Sequence, residues 1–440
     1  MIYILPGIIA CLEGILFLAL LLPKNTLAQP LFVFLGWLIG LGLSGILTFT
    51  SFLFFGQFLA WYVITLNILV TAGFGVIAFQ QKRFPTFDRS AWGAADITGL
   101  ILVAFFCVPV VMHALIYPYG GWDAWSCWNL KARFLFLGGE NWKNMFDPVL
   151  WRTNTAYPLL LPLMNAWSWS FGTEPVSYVP LANSCLITFL MGTILLYGIK
   201  TLTKNAGAIL APLWGLSILF LIKLASSQYS DLLTGTWLLA ALIAFRLFTT
   251  RAQTPFLLIT IICLGLMSFT KSEGLVLAVL TLFSGACFIA LRPDLRGQAL
   301  ASWRSIIITA ILAFLPMLIF QLFFAPDSHT FINGLTSINK PTSLERLQAT
   351  CVFYGIEFLS PKWNAFWIIS AIGILLAWKK AWKDGLWLIP AILGSYLMVV
   401  GAVYYVNTFF EIVWWLSTTL NRVLFALIPS VTLWVFLALL

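Results

Sequence analysis

Apolar runs of about 20 residues recur from one end of this 440-residue chain to the other. Each run is long enough to cross the hydrocarbon core of a bilayer as one helix. Only 9% of the residues are charged, whereas a soluble protein carries about a quarter. An outer-membrane barrel would show alternating segments of about 10 residues instead. The sequence therefore predicts an all-α polytopic integral membrane protein.

We expect about 13 transmembrane helices from hydropathy. The predicted spans lie at 2–22, 31–49, 56–79, 95–116, 178–199, 206–225, 231–248, 255–270, 274–291, 305–325, 363–378, 386–405 and 422–440. We interpret the first as a retained span, because it lacks the basic region and small-residue cleavage site of a removable signal peptide. Residues 1–90 are expected to form a three-span extension and residues 91–440 the core of the protein.

Most basic residues fall in loops on one side of these spans. They are Lys24, Lys82, Arg83, Arg89, Lys200, Lys204, Arg246, Arg251, Arg292, Arg296, Arg304, Lys379, Lys380 and Lys383. The positive-inside rule makes this side cytoplasmic, with the N-terminus outside and the C-terminus inside. The net charge of +9 then follows from topology, and we expect no nucleic-acid partner.

Two long loops, 117–177 and 326–362, fall on the opposite, outer side. The first mixes charged residues with tryptophans, a composition that suits a membrane–water boundary. Its apolar piece at 157–171 contains Pro158 and Pro162 and is short for a span. Counting it as a span would also move the later basic loops outside. We therefore expect a surface helix that lies at the outer face or dips partway into the membrane.

Asp123 is the leading candidate for chemistry in the first outer loop. It follows Pro118 and the pair Gly120 and Gly121, where the backbone can turn tightly as it leaves the membrane. The simplest interpretation is that Asp123 caps the next helix. The functional interpretation is a partly desolvated carboxylate that acts as a general base.

Four further charged residues lie at or near predicted outer span ends. Lys271 and Glu273 occupy a tight turn, where they either pair with each other or Lys271 binds an anion such as a phosphate. Asp231 begins a predicted span, as either an ordinary cap or a site residue. Arg422 begins the last predicted span, where it either snorkels to water or contacts a phosphate. Glu13 lies inside the first span, and the sequence does not predict its partner.

Cysteine and histidine usage gives little indication of a metal or redox site. Cys127 and Cys351 fall in loops on the same predicted side, so a disulfide between them is one alternative. Two histidines, His113 and His329, without a Cys/His cluster do not predict a zinc site. The chain also lacks a Walker loop, a Gly-x-Ser-x-Gly elbow, an HExxH motif and a dinucleotide fingerprint.

Four stretches together resemble the GT-C class of membrane glycosyltransferases. They are GGWDAWSCWNLKARFL followed by YPLLLPLMNAW, then YSDLLTGTWLLAALIAF, FTKSEGLVL and STTLNRVLFALIP. The likeness is to bacterial relatives of the dolichyl-phosphate-mannose protein mannosyltransferases and to the aminoarabinose lipid A transferases, and it covers roughly residues 95–440. The chain departs from that pattern in its three leading spans and in the lack of an acidic neighbour for Asp123 before Glu140.

The resemblance implies a GT-C-like fold and transfer of a sugar from a polyprenyl-phosphate donor at the outer face of a bacterial inner membrane. Asp123 then orients or deprotonates the acceptor, and Lys271 and Arg422 bind the donor phosphate. Supporting residues are expected to be Asp231, Glu273, Trp125, Arg133 and Tyr157. The family generally needs no metal, although some members of the wider class use a divalent cation.

The sugar is not identified by the sequence, nor is the acceptor, which is a glycan, a lipid or a protein. Loop 326–362 is expected to shape acceptor choice. The rival hypothesis is a transporter or flippase for a polyprenyl-linked lipid. Transporters often contain repeats and polar residues near the middle of the membrane, whereas the polar residues here cluster at outer span ends.

Overall fold

The computed structural model describes residues 2–24, 26–85, 91–326 and 343–440, and it contains no β-strand in these ranges. The first ten α-helices are Leu5–Leu21 (α1), Gln29–Phe55 (α2), Ala60–Gln80 (α3), Ala94–Ile116 (α4), Asn129–Leu137 (α5), Leu160–Trp169 (α6), Tyr178–Thr203 (α7), Leu210–Leu216 (α8), Leu219–Ser226 (α9) and Ser230–Arg251 (α10). The other nine within the described ranges are Thr254–Ser268 (α11), Ser272–Leu291 (α12), Pro293–Ala301 (α13), Trp303–Phe323 (α14), Leu344–Leu359 (α15), Phe366–Leu376 (α16), Trp378–Ala381 (α17), Leu388–Val406 (α18) and Ile412–Leu439 (α19).

Ten helices in the described part of the chain are long and apolar enough to cross a membrane. An eleventh span is counted if the segment containing α8 and α9, which bends by 74°, is one span. Helices α11 and α16 are apolar but have only 15 and 11 residues, and they occupy the predicted spans 255–270 and 363–378. The polytopic helical architecture is therefore as predicted, while the count of 13 is not confirmed.

Helix α10 lies at the centre of the bundle, and 94% of the residues in its apolar 18-residue stretch are buried. It packs against α7, α11 and α19. A Cβ atom on Gly235 would lie 2.5 Å from the carbonyl oxygen of Ala426, so only glycine allows α10 and α19 to approach this closely. Asp231 and Arg422 each lie one turn before these contact residues, so the crossing places their side chains next to each other.

The segment between α4 and α7 folds over one end of the bundle. It contains a π-turn at Ala124–Trp128, then α5, two 3₁₀ segments and α6. All ten residues of α6 are buried, so this helix is enclosed by the protein and has no exposed face, while its position relative to the membrane surface stays a prediction. Helix α6 packs against α2, α5 and α7, and its many large apolar side chains supply contacts on every side.

The tryptophans of this segment divide into two groups, although the sequence interpretation placed them together at a membrane boundary. Trp128, Trp142, Trp167 and Trp169 are at most 1% exposed. Trp122, Trp125 and Trp151 are exposed, and the rings of Trp122 and Trp125 contact each other edge to face at 4.4 Å. The first group forms part of the core, because the segment has enough chain length to enclose its own apolar side chains.

The helices of the predicted N-terminal extension contact the same segment. Trp142 packs against Phe52 of α2, with ring centroids 4.7 Å apart. Trp167 donates a hydrogen bond from its indole nitrogen to the Pro6 carbonyl at 3.3 Å. The buried Glu13 accepts a hydrogen bond from the Ser44 hydroxyl at 2.9 Å, which identifies the partner that the sequence did not predict.

The last helix begins earlier than predicted, at Ile412 and not near residue 422. Glu411 caps it by accepting hydrogen bonds from the backbone N–H groups of Val413 and Trp414. Arg422 therefore lies ten residues into α19, which corrects its assignment to the start of a span. Two residues named from the sequence, Arg89 and His329, lie outside the described ranges, as does the part 327–342 of the second outer loop.

Candidate functional site

Arg422 lies at the centre of a network of charged side chains. Its Nε and Nη2 atoms donate hydrogen bonds to Oδ2 of Asp231 at 3.1 and 3.0 Å. Its Nη1 atom donates to Oδ2 of Asp123 at 2.6 Å. The Tyr229 ring covers the guanidinium at 4.6 Å from its centroid. Arg422 therefore joins two carboxylates that are separated by more than 100 residues in sequence.

Asp231 bridges the two cations of the site. Its second oxygen, Oδ1, accepts a hydrogen bond from Nζ of Lys271 at 2.9 Å, and its side chain is 5% exposed. Asp231 lies in the first turn of α10, whose N-cap is Tyr229. The cap interpretation of Asp231 is therefore wrong, since both of its oxygens bond to charged side chains of other helices or turns.

Lys271 occupies the turn between α11 and α12, as the sequence predicted, and its side chain is 5% exposed. It pairs with Glu273 at 3.0 Å as well as with Asp231. Burial alone would lower the pKa of Lys271, but these two carboxylates outweigh burial and raise the pKa above the ordinary lysine value. Lys271 is therefore a cation at neutral pH, enclosed in the protein.

Asp123 reaches the network from the start of the π-turn. Asp123 occupies the N-cap position of this turn, as the simplest interpretation predicted, but its carboxylate makes no capping hydrogen bond and pairs with Arg422 instead. The side chain is 18% exposed. Gly121 allows this approach, because a Cβ atom there would lie 2.3 Å from the Tyr229 hydroxyl oxygen. π-turns inside helices are frequent at functional sites, where the extra residue redirects side chains.

Tyr157 closes the network on the side of Lys271. Its hydroxyl donates a hydrogen bond to Oε1 of Glu273 at 3.3 Å, and its ring stacks on Trp128 at 5.3 Å. Burial, and secondarily the charge of Glu273, raises the pKa of Tyr157 well above its ordinary value. Tyr157 is therefore a neutral hydrogen-bond donor at any physiological pH.

Lys131 holds Tyr157 in this place and was not predicted as a site residue. Its buried ammonium donates hydrogen bonds to the backbone carbonyls of Asn154, Thr155 and Tyr157 at 2.8, 3.2 and 2.9 Å. Burial lowers the pKa of Lys131 from 10.5 to about 8. The sequence shows it as an ordinary lysine beside Arg133, and only the fold of residues 154–157 makes it a central contact.

A chain of amide side chains extends from the same segment toward α7. Asn129 donates to Gln228 at 2.8 Å, Asn165 donates to Asn129 at 3.2 Å, and Asn183 donates to Asn165 at 2.9 Å. Gln228 lies next to Tyr229, which covers Arg422. Its hydrogen bond to the Pro118 carbonyl at 3.0 Å fixes the backbone before Asp123. These amides therefore help to position Asp123 and Tyr229 without contacting Arg422 themselves.

Two predicted supporting residues lie apart from the network. Trp125 is 48% exposed and contacts Trp122. Arg133 is exposed on α5. The predicted disulfide alternative is not present, since Cys127 is a buried free thiol and Cys351 an exposed one. Burial raises the pKa of Cys127 to about 11, so this thiol is not ionised at neutral pH.

The charges of the site lie close together and do not cancel. Asp123, Asp231 and Glu273 carry three negative charges, and Lys271 and Arg422 carry two positive charges. Within the described ranges, no group of three His, Cys, Asp or Glu side chains could hold a metal ion. The arrangement offers two enclosed cations for an anion and one partly exposed carboxylate for a proton.

Comparison with protein-family models, with curated proteins and with solved structures finds no match to this chain.

Proposed function

We propose that the protein is a membrane glycosyltransferase that moves a sugar from a polyprenyl-phosphate donor to an acceptor hydroxyl or phosphate. The observation that carries this proposal is the meeting of Asp123, Asp231, Lys271 and Arg422 in one hydrogen-bonded network. These residues come from four separate parts of the chain: Asp123, Asp231 and Lys271 lie at or near helix starts, and Arg422 lies inside α19. An anion-binding pair beside a carboxylate suits a reaction with an anionic leaving group and a proton to remove.

The proposed reaction balances with the groups of this site. An acceptor oxygen attacks the anomeric carbon of the sugar, and the bond between that carbon and the carrier phosphate oxygen breaks. The phosphate leaves with the bonding electrons, and Arg422 and Lys271 stabilise its charge through charge-assisted hydrogen bonds. The acceptor's proton passes to the Asp123 carboxylate.

The setting of the site also supports a lipid-linked donor. The many apolar helices imply a multi-pass membrane protein, so a polyprenyl chain can remain in the bilayer while its phosphate reaches the charged network. The distribution of basic loops supports an orientation in which the site faces the extracytoplasmic side, and we propose a bacterial cytoplasmic membrane as its location. With an odd number of spans, such as the eleven that include the bent segment of α8 and α9, the first helix then begins outside and α19 ends at the cytoplasm.

The direct test is transfer of labelled sugar by the purified protein in detergent, from a panel of polyprenyl-phosphate sugars to membrane lipid, glycan and protein fractions. We expect the label to leave the lipid carrier. Asp123→Asn should lower the rate by at least about 100-fold, because general-base catalysis contributes that much or more, while expression and membrane insertion stay normal. Asp147→Asn, which alters an exposed carboxylate of the same segment, is the matched control.

Two results would contradict the proposal. Near-normal turnover by Asp123→Asn would remove Asp123 from catalysis. Movement of the labelled lipid across a vesicle membrane, with the sugar–phosphate bond intact in every condition, would support the rival lipid transporter instead.

A further inference from the structure

The two aspartates that bind Arg422 hold it in different ways. Asp231 accepts two hydrogen bonds from the guanidinium and a third from Lys271. Asp123 accepts one hydrogen bond, from Nη1. The Asp231 side chain is 5% exposed and that of Asp123 is 18% exposed. The buried Asp231 therefore holds both Arg422 and Lys271, whereas the more exposed Asp123 holds only the Nη1 atom of Arg422.

The backbone setting of Asp231 is also different from that of Asp123. Asp231 lies in the first turn of α10, the most buried long helix of the described chain. Asp123 follows Gly120, whose φ is +73°, and Gly121, and it precedes the π-turn. The backbone before Asp123 is itself held by the hydrogen bond from Gln228 to Pro118, so the difference lies in the side chains. With one hydrogen bond to Arg422 and greater exposure, the Asp123 carboxylate can leave Arg422 more easily than Asp231 can.

Both cations retain hydrogen-bond donors that the network does not use. A guanidinium has five N–H donors and an ammonium three. Asp231 and Asp123 occupy three donors of Arg422, and Asp231 and Glu273 occupy two of Lys271. This leaves two donors of Arg422, one each on Nη1 and Nη2, and one donor of Lys271 for a phosphate that does not displace Asp231. A phosphate that uses the donor on Nη1 lies next to the Asp123 carboxylate, and the two anions repel each other.

We propose that Asp231 is a positioning residue that presents Arg422 and Lys271 to a phosphate, and that the incoming phosphate displaces Asp123 from Arg422. The displaced carboxylate then becomes free to accept a proton. This second consequence rests on the proposed function, whereas displacement by a phosphate does not. Displacement of Asp123 would impose an order on the reaction, because the acceptor meets an active base only after the phosphate has bound.

The test is equilibrium binding of a radiolabelled polyprenyl monophosphate, without sugar, to the purified full-length protein in detergent. Asp123→Asn should bind about fivefold more tightly than wild type, because a competing carboxylate is gone. Asp231→Asn should bind at least about tenfold more weakly, because both cations lose their fixed partner. Asp147→Asn serves as the unchanged control.

Each outcome bears on the inference. Weaker or unchanged binding by Asp123→Asn overturns it, as does failure of wild type to bind the probe. If Asp231→Asn does not yield folded protein, the sign of the Asp123→Asn effect still decides. Inorganic phosphate is the second probe: displacement of the lipid by it shows that the phosphate alone is recognised, and weak competition shows that the lipid chain contributes. If Asp123→Asn binds the probe more tightly but wild type never transfers sugar in the transfer assay, this inference stands and the proposed function is refuted.

Discussion

Two buried lysines of the candidate site, Lys131 and Lys271, have similar exposure but different partners. They are 1% and 4% exposed. Lys131 contacts three backbone carbonyls, and Lys271 contacts two carboxylates. Burial lowers the pKa of Lys131 to about 8, whereas Asp231 and Glu273 outweigh burial and raise that of Lys271.

The difference shows that the partner, and not burial alone, decides what a buried lysine can do. Carbonyl dipoles satisfy the hydrogen bonds of an ammonium but do not compensate its charge, so Lys131 suits a structural role near neutral pH. Two carboxylates keep Lys271 charged, so it suits a role in binding an anion. The two residues therefore serve the site by separate means: Lys131 orders residues 154–157, and Lys271 carries charge.

Removal of Lys271 should have the largest effect. Lys271→Met leaves Asp231 and Glu273 without this cation, and loss of one partner of a buried pair costs about 3–5 kcal/mol. We expect a lower melting temperature in detergent and a higher donor KM, with a smaller change in kcat. Lys271→Arg restores the charge and should recover part of both losses. An unchanged donor KM in Lys271→Met would contradict the anion-binding role.

The pH dependence of stability should separate the two lysines next. Between pH 8 and 10.5 the unfolded chain binds a proton at Lys131 that the folded protein has released, so this residue makes stability rise with pH. The free energy of unfolding of wild type, relative to that of Lys131→Met, should therefore rise across this interval by up to about 3 kcal/mol. Lys271 contributes no such rise, because its stabilisation is fully present below its ordinary pKa of 10.5 and is lost as the pH rises from there through the raised folded pKa.

Melting temperatures of wild type, Lys131→Met and Lys143→Met at pH 7, 8, 9 and 10 measure this effect. Lys143 is an exposed lysine of the same segment, so its variant should follow wild type at every pH. A constant difference between wild type and Lys131→Met would show that Lys131 has an ordinary pKa in the folded protein.

Much of this arrangement was predictable from sequence, but only in outline. Apolar run length predicted the helical membrane architecture, and the rarity of charged residues near apolar spans singled out Asp123, Asp231, Lys271 and Arg422. Their connections were not predictable, because hydropathy does not encode helix crossing. The Gly235–Ala426 contact that brings Asp231 to Arg422 appears in the sequence only as one glycine among 31.

Other errors have definite physical causes. The burial of α6 was missed because an apolar helix at a membrane surface and one enclosed by protein have the same composition. The start of α19 was missed because the polar residues between Glu411 and Arg422 resembled a turn, while Glu411 in fact caps a helix. Lys131 was missed because its partners are backbone carbonyls, which leave no pattern in the side-chain sequence.

The smallest effect should come from Tyr157, which touches both lysines. Its carbonyl accepts from Lys131, and its hydroxyl donates to Glu273. Tyr157→Phe removes only the hydroxyl and should cost about 0.5–1.5 kcal/mol, because the ring still stacks on Trp128 and the backbone contact to Lys131 remains. If the hydroxyl also helps to place Glu273 beside Lys271, the donor KM should rise severalfold in this variant. A shift in melting temperature as large as that of Lys271→Met would instead mean that the two lysines act through Tyr157 as one unit.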